Sequence, residues 1–442
     1  MRALLTFSAP MMLGNLFQQF YNMADSVIVG QFVGEQALAA VGASYSLTNV
    51  FISIAIGGGV GASVITSRYF GMRDYARMKR SAATALLAFL AISLLLGGFG
   101  LAFSQGIMRA LNTPADVLDD AVVYLNIYFL GLPFLFMYNV LSSMFNALGR
   151  SRIPLYLLIF SSVLNVGLDI YAVVSLGMGV AGVAWATLAA QGLSAVVSLA
   201  LFLRELRSYR CEKTRLWDTG ELRRMTRVAL PSILQQSTVS IGMMLVQAVV
   251  NGFGSQVLAG FSAAMRVESI CTVPMSALGN AISSYTAQNI GAARIDRVRR
   301  GYRASYAIVA AFAALMCVVL QLGSEPIAML FLGEDGTQAA MQTATGCLRF
   351  MGWFFVLIGL KMATDGVLRG SGDMPVFTAA NLVNLTIRVS LSAILAPRLG
   401  VAMVWYAVPI GWAANYVISG IAYRLGRWQR LAERAVQKQT KE

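Results

Sequence analysis

The chain contains no histidine. That removes the commonest general base, the usual zinc ligand and every histidine-assisted nucleophile. Charge is scarce as well: 12% of the 442 residues are Asp, Glu, Lys or Arg, about half the share of an ordinary soluble domain. Cysteine occurs four times, at Cys211, Cys271, Cys317 and Cys347, with no metal-ligand spacing and too thinly for a disulfide framework. A phosphate-binding loop is also missing. The run Gly57-Gly58-Gly59-Val60-Gly61 lacks the following lysine and lies inside an apolar stretch, so it reads as a close-packing surface. Together these absences argue against an enzyme and against transport driven directly by ATP in this chain, and no cofactor is expected.

What the chain has in abundance is apolar sequence, 57% of it. Twelve long runs with little charge recur, roughly 4–32, 37–67, 81–104, 117–147, 153–177, 180–203, 228–253, 257–288, 304–323, 338–368, 374–397 and 400–423. Each meets the ~20 residues needed to cross ~30 Å of hydrocarbon. The longest exceed that need, which implies tilt, kinks or projection beyond the bilayer. The first run is too long for a signal peptide and has no small-residue cleavage site, so it is expected to stay as a span. The 41 glycines suit helix contacts in lipid, where no hydrophobic drive operates between helices.

The sequence repeats itself. Residues Gly34 to Arg80 match Gly254 to Arg300 without a gap at an offset of 220, with eleven identities that include Gly59/Gly279, Ser63/Ser283, Thr66/Thr286, Gly71/Gly291 and Arg80/Arg300. Chance would give roughly three in a segment this long. At an offset of 221, Gly149, Pro154 and Gly179 fall on Gly370, Pro375 and Gly400. The expected fold is therefore an all-α integral membrane protein of twelve transmembrane helices, arranged as two homologous six-helix lobes around a central cavity. Residues 1–203 form the first lobe, 204–227 a charged cytoplasmic linker, 228–423 the second lobe and 424–442 a basic cytoplasmic tail. Six spans per lobe give both copies the same orientation, related by an axis along the membrane normal, with the cavity near the midplane.

The net charge of +14 invites a nucleic-acid reading, and its distribution rejects it. Of the 34 lysines and arginines, 28 fall on one side of the predicted membrane: Arg2, 68–80, Arg150, Arg152, 204–227, 294–303, Arg369 and the tail. The opposite side carries acids such as Glu35, Asp116, Asp119, Asp120 and Glu325. This is the positive-inside pattern, which with an even number of spans puts both termini in the cytoplasm. The basic face would meet lipid headgroups, not nucleic acid.

Ionisable residues inside the spans are functional candidates, because each is costly in hydrocarbon unless paired or hydrated. Asp25 in span one and Asp169 in span five lie at similar depth, Asn165 sits one turn from Asp169 on the same face, and Thr187 reaches that depth from span six. Converging, they would form an oxygen cage for Na⁺ or a carboxylate pair sharing one proton. The second copy differs. Arg266 and Glu268 share span eight, Lys361 and Asp365 are an i, i+4 pair on span ten, and Arg388 lies on span eleven near the place Asp169 takes in the first copy. Acids here have bases nearby, which favours a structural charge network. Pro10, early in span one, removes a backbone hydrogen bond and permits either a packing bend or a hinge.

At these residues the chain resembles the multidrug and toxic compound extrusion (MATE) family of bacterial secondary transporters, along essentially its whole length. The matching text is APMMLGNLFQQFYNMADSVIVGQFVG, YFGMRDYARMKR, NALGRSRIP, LNVGLDIYA and GVAGVAWAT in the first copy, and TAQNIGAARIDRVRR and LRGSGDMP in the second. The resemblance implies antiport: export of amphipathic, often cationic compounds in exchange for inward H⁺ or Na⁺, by a monomer in the inner (plasma) membrane. The family's acidic site maps onto Asp25, Asn165, Asp169 and Thr187, its cavity-lining polar positions onto Gln18, Tyr124 and Asn139, and its bendable first helix onto Pro10. Some members carry a glutamate in span seven, where this chain has only Gln235, Gln236 and Gln247. A lipid or lipid-linked precursor flippase of the same broad superfamily is the alternative function.

Overall fold

The apolar runs become long helices, because in hydrocarbon a backbone must satisfy its own polar groups. The structure is a computed structural model describing residues 2–28, 32–33, 35–110, 113, 115–211, 215–332 and 337–440, excluding the side chains of 2–5, 20–27, 35–39, 45–46, 110, 115–116 and 434–440. In chain order the helices are α1 (Arg2–Ile28), α2 (Glu35–Met72), α3 (Tyr75–Ala110), α4 (Ala115–Ala147), α5 (Arg152–Ile170), α6 (Gly179–Ser208), α7 (Thr219–Asn251), α8 (Ser255–Gly291), α9 (Ile295–Leu332), α10 (Gln338–Ser371), α11 (Met374–Leu399), α12 (Ala402–Arg424) and α13 (Arg427–Thr440). Over their described residues, the twelve apolar runs map in order onto the first twelve helices, 153–177 continuing past α5. Among the described residues, nine helices are long and apolar enough to cross a membrane.

Several helices outrun their apolar segments. Helix α9 begins at Ile295, nine residues before the predicted span, and ends at Leu332, nine after it. The turns added at the N-terminus carry Asp296 and four arginines, so they extend the helix beyond the hydrocarbon, whereas those added at the C-terminus are apolar after Glu325. Helix α13 was read only as a tail; it folds back through Trp428, which is fully buried and stacked on Tyr423 with ring centroids 5.4 Å apart.

The chain divides into two compact units, one of Leu13–Ile233 and one of Met1–Met12 with Leu234–Glu442. In Leu13–Ile233, α4 packs on α2, α3 and α6, and α5 packs on α6. Its core is aromatic, with Phe51 edge-on to Phe129 and Phe145 edge-on to Phe202. Gly61 sits in mid-helix where a Cβ would lie 2.6 Å from the Cα of Ala229 on α7. The glycine run is indeed a packing surface. In the other unit α10 is central, packed on α8, α9 and α12, while α11 packs on α12. Leu95, Phe99 and Phe103 form an exposed i, i+4 stripe on α3, and Leu322 and Leu330 are exposed on α9. Such faces are stable where the solvent is lipid.

The turns carry the duplication into the backbone. Arg73 (φ 61°) and Ala293 (φ 56°) both adopt the left-handed conformation, 220 residues apart. In each turn the next amide donates to the carbonyl five residues back, Asp74 to Tyr69 and Arg294 to Asn289. Further along, the register shifts. Left-handed Gly149 and Gly372 close equivalent turns, with the following amides bonded to Phe145 and Leu368, at an offset of 223 and not 221. In that register Asp169 corresponds to Ser392 and Asn165 to Arg388. The buried acid of the first copy thus has a buried serine as its counterpart.

Candidate functional site

Helix α5 is apolar except for a few positions, and two of these are turned inward. Asn165 is 1% and Asp169 0% exposed. They are one turn apart, so they occupy one face. Helix α6 packs on that face and carries Thr187, whose Oγ1 accepts a hydrogen bond from Asn165 Nδ2 at 3.3 Å. Directly after Ile170 the helix widens into a π-helical turn, Tyr171–Ser175, and then breaks at Gly177 with φ 61°. Single π turns inside helices are frequent at functional sites.

Thr187 also faces a small cleft between α4 and α6 that it shares with Tyr124, Tyr128 and Gln191. Its volume is about 20 Å³, room for about one water. Gly131, Ala184 and Leu188 complete its largely apolar lining, so the few hydroxyl and amide groups are its only polar features among the described residues. Tyr128 donates its hydroxyl to Thr48 O at 3.3 Å, fixing the ring against α2. Of the other expected cavity residues, Asn139 donates its amide to Leu135 O on its own helix at 2.8 Å, and Gln18 is half-buried on α1. Asp25 lies on α1, and its side chain is outside the described residues. Pro10 is buried inside α1, and the division between the compact units falls two residues later, between Met12 and Leu13. Among the described residues no three Asp, Glu, Cys or His side chains form a cluster for a transition metal. The oxygen-only donor set of Asp169, Asn165 and Thr187 suits a hard cation or a proton.

The second copy spends its polar residues differently. Lys361 Nζ lies 3.5 Å from Asp365 Oδ2, both buried on α10. Asn381 Nδ2 donates to the same oxygen at 3.2 Å, and Ser419 Oγ donates to Oδ1 at 2.9 Å. Asp365 therefore has partners from α10, α11 and α12, and the cluster reads as a structural junction. The sequence had shown only the Lys361 half of it. A chain of hydroxyls runs beside it: Tyr302 to Thr364 at 2.7 Å, Tyr306 to Tyr302 at 2.6 Å, and Tyr306 to Tyr416 at 3.0 Å. Glu268 is buried, whereas Arg266, two positions away, is exposed on another face. Among the described residues no ion pair joins Glu268 to Arg266 or Arg388, and Glu268 Oε2 and Arg388 Nε are buried without hydrogen-bond partners.

Arg369 was grouped with the cytoplasmic bases, yet it is only 8% exposed. Its guanidinium donates to Asn280 Oδ1 at 2.6 Å and Ser283 Oγ at 3.3 Å and lies 5.8 Å above the Phe377 ring. At the turn that follows, burial raises the carboxyl pKa of Asp373, opposed by Arg427 at 3.2 Å.

The fold and the repeated arrangement have a counterpart among known proteins. The MatE family model matches residues 10–171 and again 231–394. This chain belongs to the MATE family. The two matched segments begin 221 residues apart and end 223 apart. A probable multidrug resistance protein of Bacillus subtilis (strain 168), YpnP, is 28% identical over 433 residues, 98% of this chain and 96% of the relative. A FAD transporter of Shewanella oneidensis is 25% identical over 343 residues, 75% of this chain and 74% of its own. A solved structure of the outward-facing conformation of a multidrug resistance MATE family transporter superposes with a TM-score of 0.88 at 25% identity, covering 97% of this chain and 96% of the other. The MATE chain described here is thus a multi-pass membrane transporter and not an enzyme.

Proposed function

We propose that this MATE transporter exports amphipathic, often cationic compounds from the cytoplasm in exchange for inward H⁺ or Na⁺. The observation that carries the proposal is the buried Asp169 with Asn165 and Thr187 tied together beside it. A buried carboxylate with oxygen neighbours binds a cation or a proton strongly in one conformation, and Asp25 of α1 would supply the second acid. Coupling requires the ion and the exported compound to prefer different conformations, since equal affinity for both shifts nothing. The cation entering from outside would favour outward release, and its departure would restore the state that takes up cytoplasmic substrate. Pro10 would give α1 the freedom to bend between these states. The setting is the plasma membrane, with both termini cytoplasmic, the chain working as a monomer among lipids and without nucleic acid.

The test is transport in proteoliposomes with Na⁺ and proton gradients imposed independently. Uptake of a cationic dye against one gradient, lost in Asp169→Asn, supports the proposal. Dye movement indifferent to both gradients overturns it.

A second reading is favoured by Arg388, whose guanidinium keeps an unfilled buried donor. Such a group suits an anionic substrate, and one relative is named as a FAD transporter. Gradient-driven movement of FAD in preference to the dye would establish that reading.

A further inference from the structure

The segment between α6 and α7 is strapped to α3. Asp218 N donates to Thr84 Oγ1 at 3.1 Å, and Thr84 Oγ1 donates to Leu216 O at 3.5 Å. One turn earlier on α3, Arg80 gives an N–H to Asp218 Oδ2 at 3.3 Å. Arg80 and Asp218, with Arg215, Trp217 and Thr219, border an open cleft of about 470 Å³.

Charge comes first. Asp218 is already committed, because it accepts from the backbone N–H groups of Gly220 and Glu221 as well as from Arg80. Arg80 Nε is buried with no hydrogen-bond partner, and Arg215 is exposed with no ion pair among the described residues. The cleft therefore holds two guanidiniums against one occupied carboxylate.

Depth comes second. Arg80 is the last charge before the uncharged stretch that begins at Ser81 and runs to Met108. Thr84 is four residues on, roughly 6 Å further along the helix axis. The strap holds Leu216 and Trp217 at this level, where the hydrocarbon begins, and they are 69% and 45% exposed. Tryptophan favours that boundary, with its ring in lipid and its N–H near the headgroups. Arg80, the repeat mate of Arg300, gains this setting because the linker folds over the first copy. Arg300 itself is exposed.

We propose that the cleft binds one anionic phospholipid, its phosphate between Arg80 and Arg215 and an acyl chain along Leu216 and Trp217. The lipid would complete the cleft and hold the linker at the cytoplasmic membrane surface. Free phosphate has no use for the two exposed apolar side chains, so a lipid is the occupant this surface fits.

Native mass spectrometry of the full chain, released from mixed phosphatidylglycerol and phosphatidylcholine micelles, tests this. The wild type should retain phosphatidylglycerol in preference to phosphatidylcholine. Arg215→Ala, at an exposed position, should lower that preference about fivefold, the effect of one basic residue near an anionic surface. Trp217→Ala should weaken retention of the same lipid, while Arg294→Ala, an exposed base elsewhere, should change nothing. Equal retention of both lipids overturns the proposal, as does undiminished preference in Arg215→Ala or an equal loss in Arg294→Ala. Thermal stabilisation by inorganic phosphate matching that by phosphatidylglycerol would show a phosphate site and overturn the lipid.

Discussion

Asn165 and Thr187 are joined by a 3.3 Å hydrogen bond between neighbouring helices, one turn along from the buried Asp169. The bond fixes which way the amide points. It ties the α5 face that carries Asp169 to α6.

Asp169→Asn keeps the shape and removes the charge. In proteoliposomes it should abolish gradient-driven transport while the protein keeps its elution profile and melting temperature within a few degrees. Retained coupling would remove Asp169 from the mechanism.

Thr187→Val deletes the acceptor for Asn165. A net hydrogen bond of about 1 kcal/mol corresponds to about fivefold weaker affinity for the coupling ion, read as the ion concentration giving half-maximal transport. The maximal rate should change less than the affinity.

Lys361→Ala removes the ion-pair partner of the buried Asp365. Breaking a buried pair on one side costs about 3–5 kcal/mol, so the melting temperature should fall clearly. Lys361→Met combined with Asp365→Asn should recover most of the loss. A fall in transport without a fall in stability would show that the pair acts in transport.

Gly61→Val should be among the most damaging changes to an apolar position in this chain. Its first side-chain carbon meets the backbone of Ala229 at 2.6 Å, where neither helix can yield easily. Overpacking of this kind costs about 1–3 kcal/mol, measurable as a lower melting temperature and poorer recovery from detergent.

Asp373 sets a pH signature. Burial raises its carboxyl pKa in the folded protein, so the folded state holds the proton more tightly than the unfolded chain. That contribution to stability is complete below the unfolded value of about 3.9 and is lost as pH rises through the raised folded value. Asp373→Asn should flatten this limb of the melting-temperature profile, and an unchanged profile would refute the assignment.

Much of the fold was legible in the sequence because hydrocarbon imposes one rule on every span. Runs such as Ala82 to Gln105 had no alternative to a helix, and the repeat of Gly71 and Gly291 marked equivalent turns. Less was legible where polar contacts between helices decide the outcome. Arg369 reads as a loop base from its neighbours Gly370 and Gly372, and only the approach of Asn280 and Ser283 from α8 makes it a buried one. Identity placed Gly149 against Gly370, while the backbone needs Gly149 against Gly372, the residue with positive φ. Spacing put Asn165, Asp169 and Thr187 at one depth, and the structure adds the burial of the first two and the Asn165–Thr187 hydrogen bond. Asn381 and Ser419 were missed because Asp365 gathers them from distant helices.

The twin bends at Arg73 and Ala293 have a practical meaning for anyone handling this protein. Each forces an L-residue into a conformation that costs roughly 1–2 kcal/mol and that glycine takes without clash. Arg73→Gly and Ala293→Gly, made together, should yield a hardier sample for biochemistry without touching any ionisable group in the spans. The same awkward corner stands in both halves, where an engineer can collect the difference.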